Sequence, residues 1–305
     1  MGSFKTVAGT ILGLGMTYLG APNWALAQNL DQVQIQTVPV SQGVYMLLGE
    51  GGNIGVSVGP EGVFLIDDQF APLTAKIQAA IKELSDQPIR FLVNTHWHFD
   101  HTGGNENLGN AGVVIVAHDQ VRERMKVDNV VEFLQRQIPA APPAALPVIT
   151  FNDKVTFHFN GQTIQAFHVD AAHTDGDTVL YFQEADVIHA GDIYFNGFSP
   201  FIDQSSGGNI DGVIAAVDRI LSLAGDQTKI LPGHGSLSNR AELVAYRQML
   251  VDVRDRTQKA IQAGLSLENF IATKPMADYD KNWGKGFLKP EQFITLVYQL
   301  LSAQP

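Results

Sequence analysis

Short apolar runs broken by glycine-rich turns open the chain. Residues Gly43–Leu48, Asn53–Val58 and Val63–Ile66 read as β-strands, separated by Gly49-Glu50-Gly51-Gly52 and Gly59-Pro60-Glu61-Gly62. This predicts an antiparallel meander ending at Asp67-Asp68. Apolar residues then recur at helical spacing, at Leu73, Ile77, Ala80, Ile81 and Leu84. Pro88 resets the chain into a buried strand, Ile89 to Val93, followed by a further strand over Val113–Ala117 and a helix from Asp119 onward. Residues Ile138–Val148 hold four prolines and read as a stiff loop bordering a substrate cleft or serving as a spacer. A hairpin follows, Lys154–Phe159 and Thr163–Val169 about Asn160-Gly161. Strands at Thr178–Phe182, Val187–Ala190 and Lys229–Leu231 enclose a helix over Ile210–Leu223. The tail predicts two helices, Ser238 to Ala263 and Pro290 to Ser302. Strands followed by a helix occur twice in the same order, which predicts two similar layers face to face with helices outside, an α/β fold.

The first residues stand apart from this pattern. Lys5 is the only charge before Asp31, Val7 to Leu19 is apolar, and Ala25-Leu26-Ala27 offers a small-residue cleavage site. Residues 1–27 read as a secretory signal peptide, and the remainder, 28–305, as one domain. The apolar run is shorter than the roughly 20 residues of a spanning helix, so export to a periplasm is expected without stable membrane insertion. Cleavage would remove Lys5 and move the formal charge from −11 to −12. That acidity opposes nucleic acid as a partner and leaves a small molecule as the expected substrate. The chain has no cysteine, hence no disulfide framework and no catalytic thiol. Oligomeric state has no signature in the sequence.

The chemistry concentrates where the strand Ile89 to Val93 ends. Asn94-Thr95-His96-Trp97-His98-Phe99-Asp100-His101 places three imidazoles and a carboxylate within six positions. Regular strand alternation would put His96, His98 and Asp100 on one face and His101 on the other. A tight loop lets all four converge on two neighbouring metal ions. Three more candidates sit at strand ends beside glycine: His173 in A-A-H-T-D-G-D, Asp192 in H-A-G-D-I-Y-F, and His234 in L-P-G-H-G. His118, His158, His168 and His189 lack such a context, and Asp175 and Asp177 either support a ligand from behind or only cap the turn.

H-x-H-x-D-H, H-T-x-G-D, G-D-x-x-F and P-G-H, in that order, resemble the metallo-β-lactamase superfamily over roughly Gln42 to Asn239. The resemblance implies a four-layer αβ/βα sandwich with the site between its sheets. It implies that His96, His98 and His173 hold one metal, that Asp100, His101 and His234 hold a second, and that Asp192 bridges them. Asp67 matches an aspartate behind the first motif, with Asp68 a competing choice. Two zinc ions are expected, although iron or manganese suits the same donors. Such a pair, about 3.5–4 Å apart, lowers the pKa of a bound water toward about 7, with Asp100 the candidate to orient it and pass on its proton.

The resemblance implies hydrolysis of an activated acyl bond, a β-lactam or a lactone. Gly207-Gly208-Asn209 is similar to a Gly-Asn near the family's substrate loop, which makes Asn209 a candidate substrate contact. Asp192 stands where the commonest zinc β-lactamases carry cysteine, Phe195 where many carry an anchoring lysine, and Gly49–Gly52 is short for their flap. A glyoxalase-like thioesterase would want basic residues for glutathione, for which Lys281, Lys285 and Lys289 are available. An iron oxygenase would hold one metal, and a non-catalytic binding protein should have lost ligands, whereas all seven are present.

Overall fold

The computed structural model describes residues 30–303, so the expected signal peptide lies outside the described residues. The predicted meander forms, with one strand that the pattern did not reveal, Gln36–Ser41, ahead of Val44–Leu48, Ile54–Gly59 and Gly62–Ile66. Three parallel neighbours, Ile89–Val93, Val114–His118 and Ile149–Phe151, extend this sheet to seven strands. The second sheet has six, in the order Lys154–Phe159, Gln162–His168, Thr178–Phe182, Val187–His189, Lys229–Leu231 and Ser238–Asn239. Asn160 and Gly161 both take left-handed φ (55° and 70°), as the tight turn of the Lys154–Phe159 hairpin requires.

Alternation along the strands divides the apolar residues between three layers of core. Phe64 and Ile66 pack with Ile164, Ala166, Leu180, Phe182 and Val187 between the two sheets. Their chain neighbours Val63 and Leu65 pack on the other side with Ile77, Ile81 and Leu108, from the helices Thr74–Lys82 and Asn105–Asn110. Phe167, Val179 and Ile188 turn outward to the helices Ile210–Leu223, Arg240–Gln262 and Pro290–Ser302. The result is the expected αβ/βα sandwich. At the centre of the inter-sheet layer, Phe64 lies 5.0 Å from Phe157 and 6.2 Å from Phe182, both edge to face.

Two connections differ from expectation. The helix from Asp119 stops at Met125, because Asn129 Nδ2 takes up the free carbonyls of Arg124 (2.6 Å) and Val127 (2.8 Å). A small hairpin follows, Asn129–Val131 paired with Arg136–Ile138. The proline-rich segment closes on a turn, Pro143–Ala145, whose Ala145 carbonyl accepts from buried Asn105 Nδ2 (2.9 Å). Asn105 also exchanges amide hydrogen bonds with Asn94 (3.0 and 2.9 Å), so the segment buttresses the histidine loop from behind. Two short helices, Leu267–Ala272 and Asp280–Trp283, join the two long tail helices. No helix among the described residues is long and apolar enough to cross a membrane.

Phe64→Ala would empty the middle of the inter-sheet core, and a loss of about 3–5 kcal/mol in unfolding free energy is expected from urea denaturation.

Candidate metal centre

The candidate ligands leave the same end of both sheets. Val93 closes a parallel strand, and Asn94 N still donates to Val116 O (3.0 Å) before the chain turns away. A four-residue helical turn, Phe99–Thr102, then lifts Asp100 and His101 back toward His96 and His98. This turn breaks strand alternation and brings all four side chains together. From the second sheet, His173 precedes Thr178–Phe182, Asp192 follows Val187–His189, and His234 follows Lys229–Leu231.

Seven side chains gather in two groups. His96, His98, His173 and Asp192 form one, and Asp100, His101 and His234 the other, each with its donor atoms within 4.8 Å of one another. Asp192 lies between them. Its Oδ2 is 3.8 Å from His96 Nε2, 3.5 Å from His173 Nε2 and 3.4 Å from His234 Nε2, and its Oδ1 is 3.1 Å from His101 Nε2.

The outward nitrogen of each of four imidazoles is already engaged. His173 Nδ1 donates to Phe201 O (2.8 Å), His98 Nε2 to Asp203 Oδ2 (3.0 Å) and His101 Nδ1 to Asp67 Oδ2 (2.8 Å), while His96 Nδ1 meets Thr95 Oγ1 at 3.0 Å. With those protons facing out, the inner nitrogens of His98 and His173 carry lone pairs, and His173 Nε2 faces His98 Nδ1 at 2.9 Å. Two lone pairs at such a distance repel unless a cation lies between them. Buried His96 Nε2 has no hydrogen-bond partner. In the other group His101 Nε2 lies 3.3 Å from His234 Nε2, and both imidazoles face the Asp192 and Asp100 carboxylates. The donor set therefore fits metal ions, with the outer tethers fixing the tautomers.

Protonation follows the same division. Burial pushes His173 down to about 4 and, with the His101 charge beside it, His96 well below its ordinary value. Burial also opposes the charge on His234, but Asp192 and the hydrogen bond to Asp100 outweigh it and raise its pKa to about 9. Burial alone would raise Asp100, yet His101 and His234 hold its carboxyl well below the usual range.

Asp67, and not Asp68, is the aspartate behind the motif. Its carboxylate accepts from Thr95 N and Thr95 Oγ1 (both 2.7 Å) as well as from His101. Asp68 instead accepts from Gly104 N (2.9 Å), and burial raises its pKa well above the ordinary value. Glycine is required at two close approaches: a Cβ on Gly52 would collide with the His101 ring, and one on Gly233 with Asp192 Oδ1. Asn53 ties these loops together through Nδ2 to Pro232 O (2.9 Å) and Gly235 O (2.8 Å).

Asn209 has a structural part of its own: its Oδ1 accepts from Gly212 N (2.8 Å) and caps the helix Ile210–Leu223. His189 bridges the sheets to Asn53 O (3.2 Å), and His118 stacks flat on His168 at 3.8 Å, so neither belongs to the centre. Asp177 braces the loop by accepting from His173 N (2.6 Å) and Thr174 N (2.8 Å), and Asp175 pairs with Arg124. Sequence reasoning missed Asp203, which sits in no motif and is marked only by its place in the fold.

The profile of the Metallo-beta-lactamase superfamily matches residues 48–235. The chain belongs to this superfamily. Like its hydrolase members it is a metal-dependent hydrolase. The 2,4-dinitroanisole O-demethylase subunit alpha of Nocardioides sp. (strain JS1661) is 22% identical over 280 residues, 90% of this chain and 78% of that one. The metallo-beta-lactamase from Pontibacter korlensis superposes with a TM-score of 0.60 at 20% identity, over 72% of this chain and 100% of that one. A stereoselective inverting sec-alkylsulfatase from Pseudomonas sp. superposes with a TM-score of 0.65 at 18% identity; it covers 87% of this chain, which spans 50% of that longer one. What the two solved structures share with this chain is the fold.

Asp203→Ala would free His98 to rotate, and metal affinity, read by competition with a chromogenic chelator, is expected to fall about 10- to 100-fold. For metal-stripped protein, the raised pKa of His234 stabilises the fold fully below the unfolded value of about 6.5. That contribution is lost as pH rises through about 9. The urea midpoint of stripped protein is therefore expected to fall over this window. Metal affinity should rise across the same window, because the ion displaces the proton.

Proposed function

We propose that the protein opens an activated acyl bond, a β-lactam or lactone ring, at a pair of zinc ions. The observation that carries this reading is Asp192, which stands within 3.8 Å of an imidazole from each of the two groups. His96, His98 and His173 would hold one ion and Asp100, His101 and His234 the other, with Asp192 shared. When bound, the ions lower the pKa of water toward about 7 and polarise a carbonyl.

The chain's own residues do the rest. Asp67 and Asp203 fix the ring planes of His101 and His98 through hydrogen bonds of 2.8 and 3.0 Å. Asp100 is ionised at neutral pH, with Oδ2 3.3 Å from His234 Nε2. Its carboxylate is the group placed to take a proton from an attacking water and return it to the leaving atom. Phe195 lies flat on His234 (5.2 Å between ring centroids, 14° between planes) and Phe201 packs 5.8 Å from His173, which keeps bulk water from those two faces. Export to a periplasm, with residues 1–27 removed, belongs to the same proposal.

A second reading, hydrolysis of a sulfate ester, draws on the wider overlap with the sec-alkylsulfatase, 87% of this chain. One panel separates the readings: β-lactams, lactones, thioesters, alkyl sulfates and phosphodiesters, assayed with metal content measured on the same sample. Turnover of the cyclic acyl compounds with two zinc ions per chain is the expected result. Selective turnover of sulfates or phosphodiesters, or a single iron, would replace the reading. Asp100→Asn at equal metal occupancy is expected to lower kcat by about 100-fold or more.

A further inference from the structure

The small hairpin Asn129–Val131 and Arg136–Ile138 belongs to neither sheet, yet it returns to the metal centre. The Arg136 guanidinium carbon lies 3.4 Å from the centroid of the Phe99 ring. Phe99 stands between the candidate ligands His98 and Asp100, and its other contact is Phe70, stacked at 5.9 Å and 30°. A guanidinium laid on a ring is held in plane while its N–H edges stay free.

Those edges have no carboxylate of their own. Arg124, Arg247, Arg254 and Arg256 each pair with an aspartate, Asp175, Asp218, Asp211 and Asp278 respectively. Among the described residues the Arg136 guanidinium makes no hydrogen bond or ion pair, and the charge it senses is that of Asp100, in the metal centre. It is exposed, on a chain of formal charge −11 that otherwise repels anions. On the side of His234 and His173 the centre meets Phe195 and Phe201, with Phe198 5.8 Å beyond Phe195, so that flank is lined by aromatic rings.

We propose that Arg136 is the residue that selects substrate, by gripping a carboxylate a few atoms from the scissile acyl bond while the aromatic flank receives an apolar substituent. The proposal rests on the acyl-hydrolase reading above for its kinetics, and on binding alone for its second arm. A planar carboxylate matches the guanidinium edge in a two-point contact, and the Phe99 ring keeps that edge facing the rim. Arg136 acts in recognition and exchanges no proton with the reacting atoms.

The test compares Arg136→Ala and Arg136→Lys with the native holoenzyme on matched substrates, a β-lactam carboxylic acid and its methyl ester. For the acid, KM is expected to rise about 10- to 100-fold in Arg136→Ala, the loss of a charge-assisted contact. The change in kcat should stay below threefold, and the ester's kcat/KM should fall at least tenfold less than the acid's. Lysine should restore part of the preference, because it keeps the charge but not the two-point edge. The second arm measures calorimetric binding of N-benzoylglycine and its methyl ester to metal-loaded native and variant protein. Weaker binding of the acid alone in Arg136→Ala is expected. Equal losses for acid and ester in both arms, or no loss in either, would overturn the proposal. If no acyl compound is turned over, the acyl reading fails, and the calorimetric arm still decides the role of Arg136.

Discussion

Everything at this centre depends on where four imidazole protons point. Buried imidazoles are stable only when their polar nitrogens are matched, and here the outer nitrogens are matched first. Thr95, Asp203, Asp67 and the Phe201 carbonyl occupy them, which leaves the inner lone pairs of His98 and His173 directed at one another, 2.9 Å apart, and that of His96 toward Asp192. The fold thereby stores an electrostatic conflict that a cation relieves. The acidic groups take the complementary part: Asp192 and Asp100 remain charged despite burial because His101 and His234 face them.

The sandwich supplies the rigidity that this conflict demands. Ligands enter from strand ends on both sheets, and the loops carrying them are cross-tied. Asn53, between two strands of the first sheet, bonds the Pro232 and Gly235 carbonyls of the second. Gly52 N donates to Asp100 O (3.0 Å), and Gln69 Nε2 to Gly52 O (2.7 Å), so the short glycine loop acts as a floor beneath the centre. Asp67 and Gln69 both adopt left-handed φ (59° and 56°), a conformation costly for side-chain-bearing residues and concentrated where function needs an awkward turn.

Much of this was legible in the chain. Short apolar runs between turn residues located the strands because both faces of each sheet are covered, and the ligand motifs stood out because imidazoles at strand ends have few other uses. The unread parts were those fixed by distant contacts. Asp203 orients a histidine 105 positions away in sequence, so no local pattern could mark it. The cap made by Asn209 went unread as well, because a polar side chain beside glycines starts a helix as readily as it binds a ligand. The strand Gln36–Ser41 hides behind polar residues because it lies at the edge of its sheet, half in solvent.

The hairpin that carries Arg136 is fastened at its base, where Ala141 N bonds Met125 O (2.8 Å), and again at its tip, where Glu132 N bonds Ser205 Oγ (3.3 Å) and Phe133 packs 5.9 Å from Phe201. Ser205 Oγ in turn bonds Asp203, the carboxylate that holds His98. A change of length or sequence at that tip therefore reaches an imidazole of the centre through two hydrogen bonds, so the rim and the ligand beneath it have to vary together.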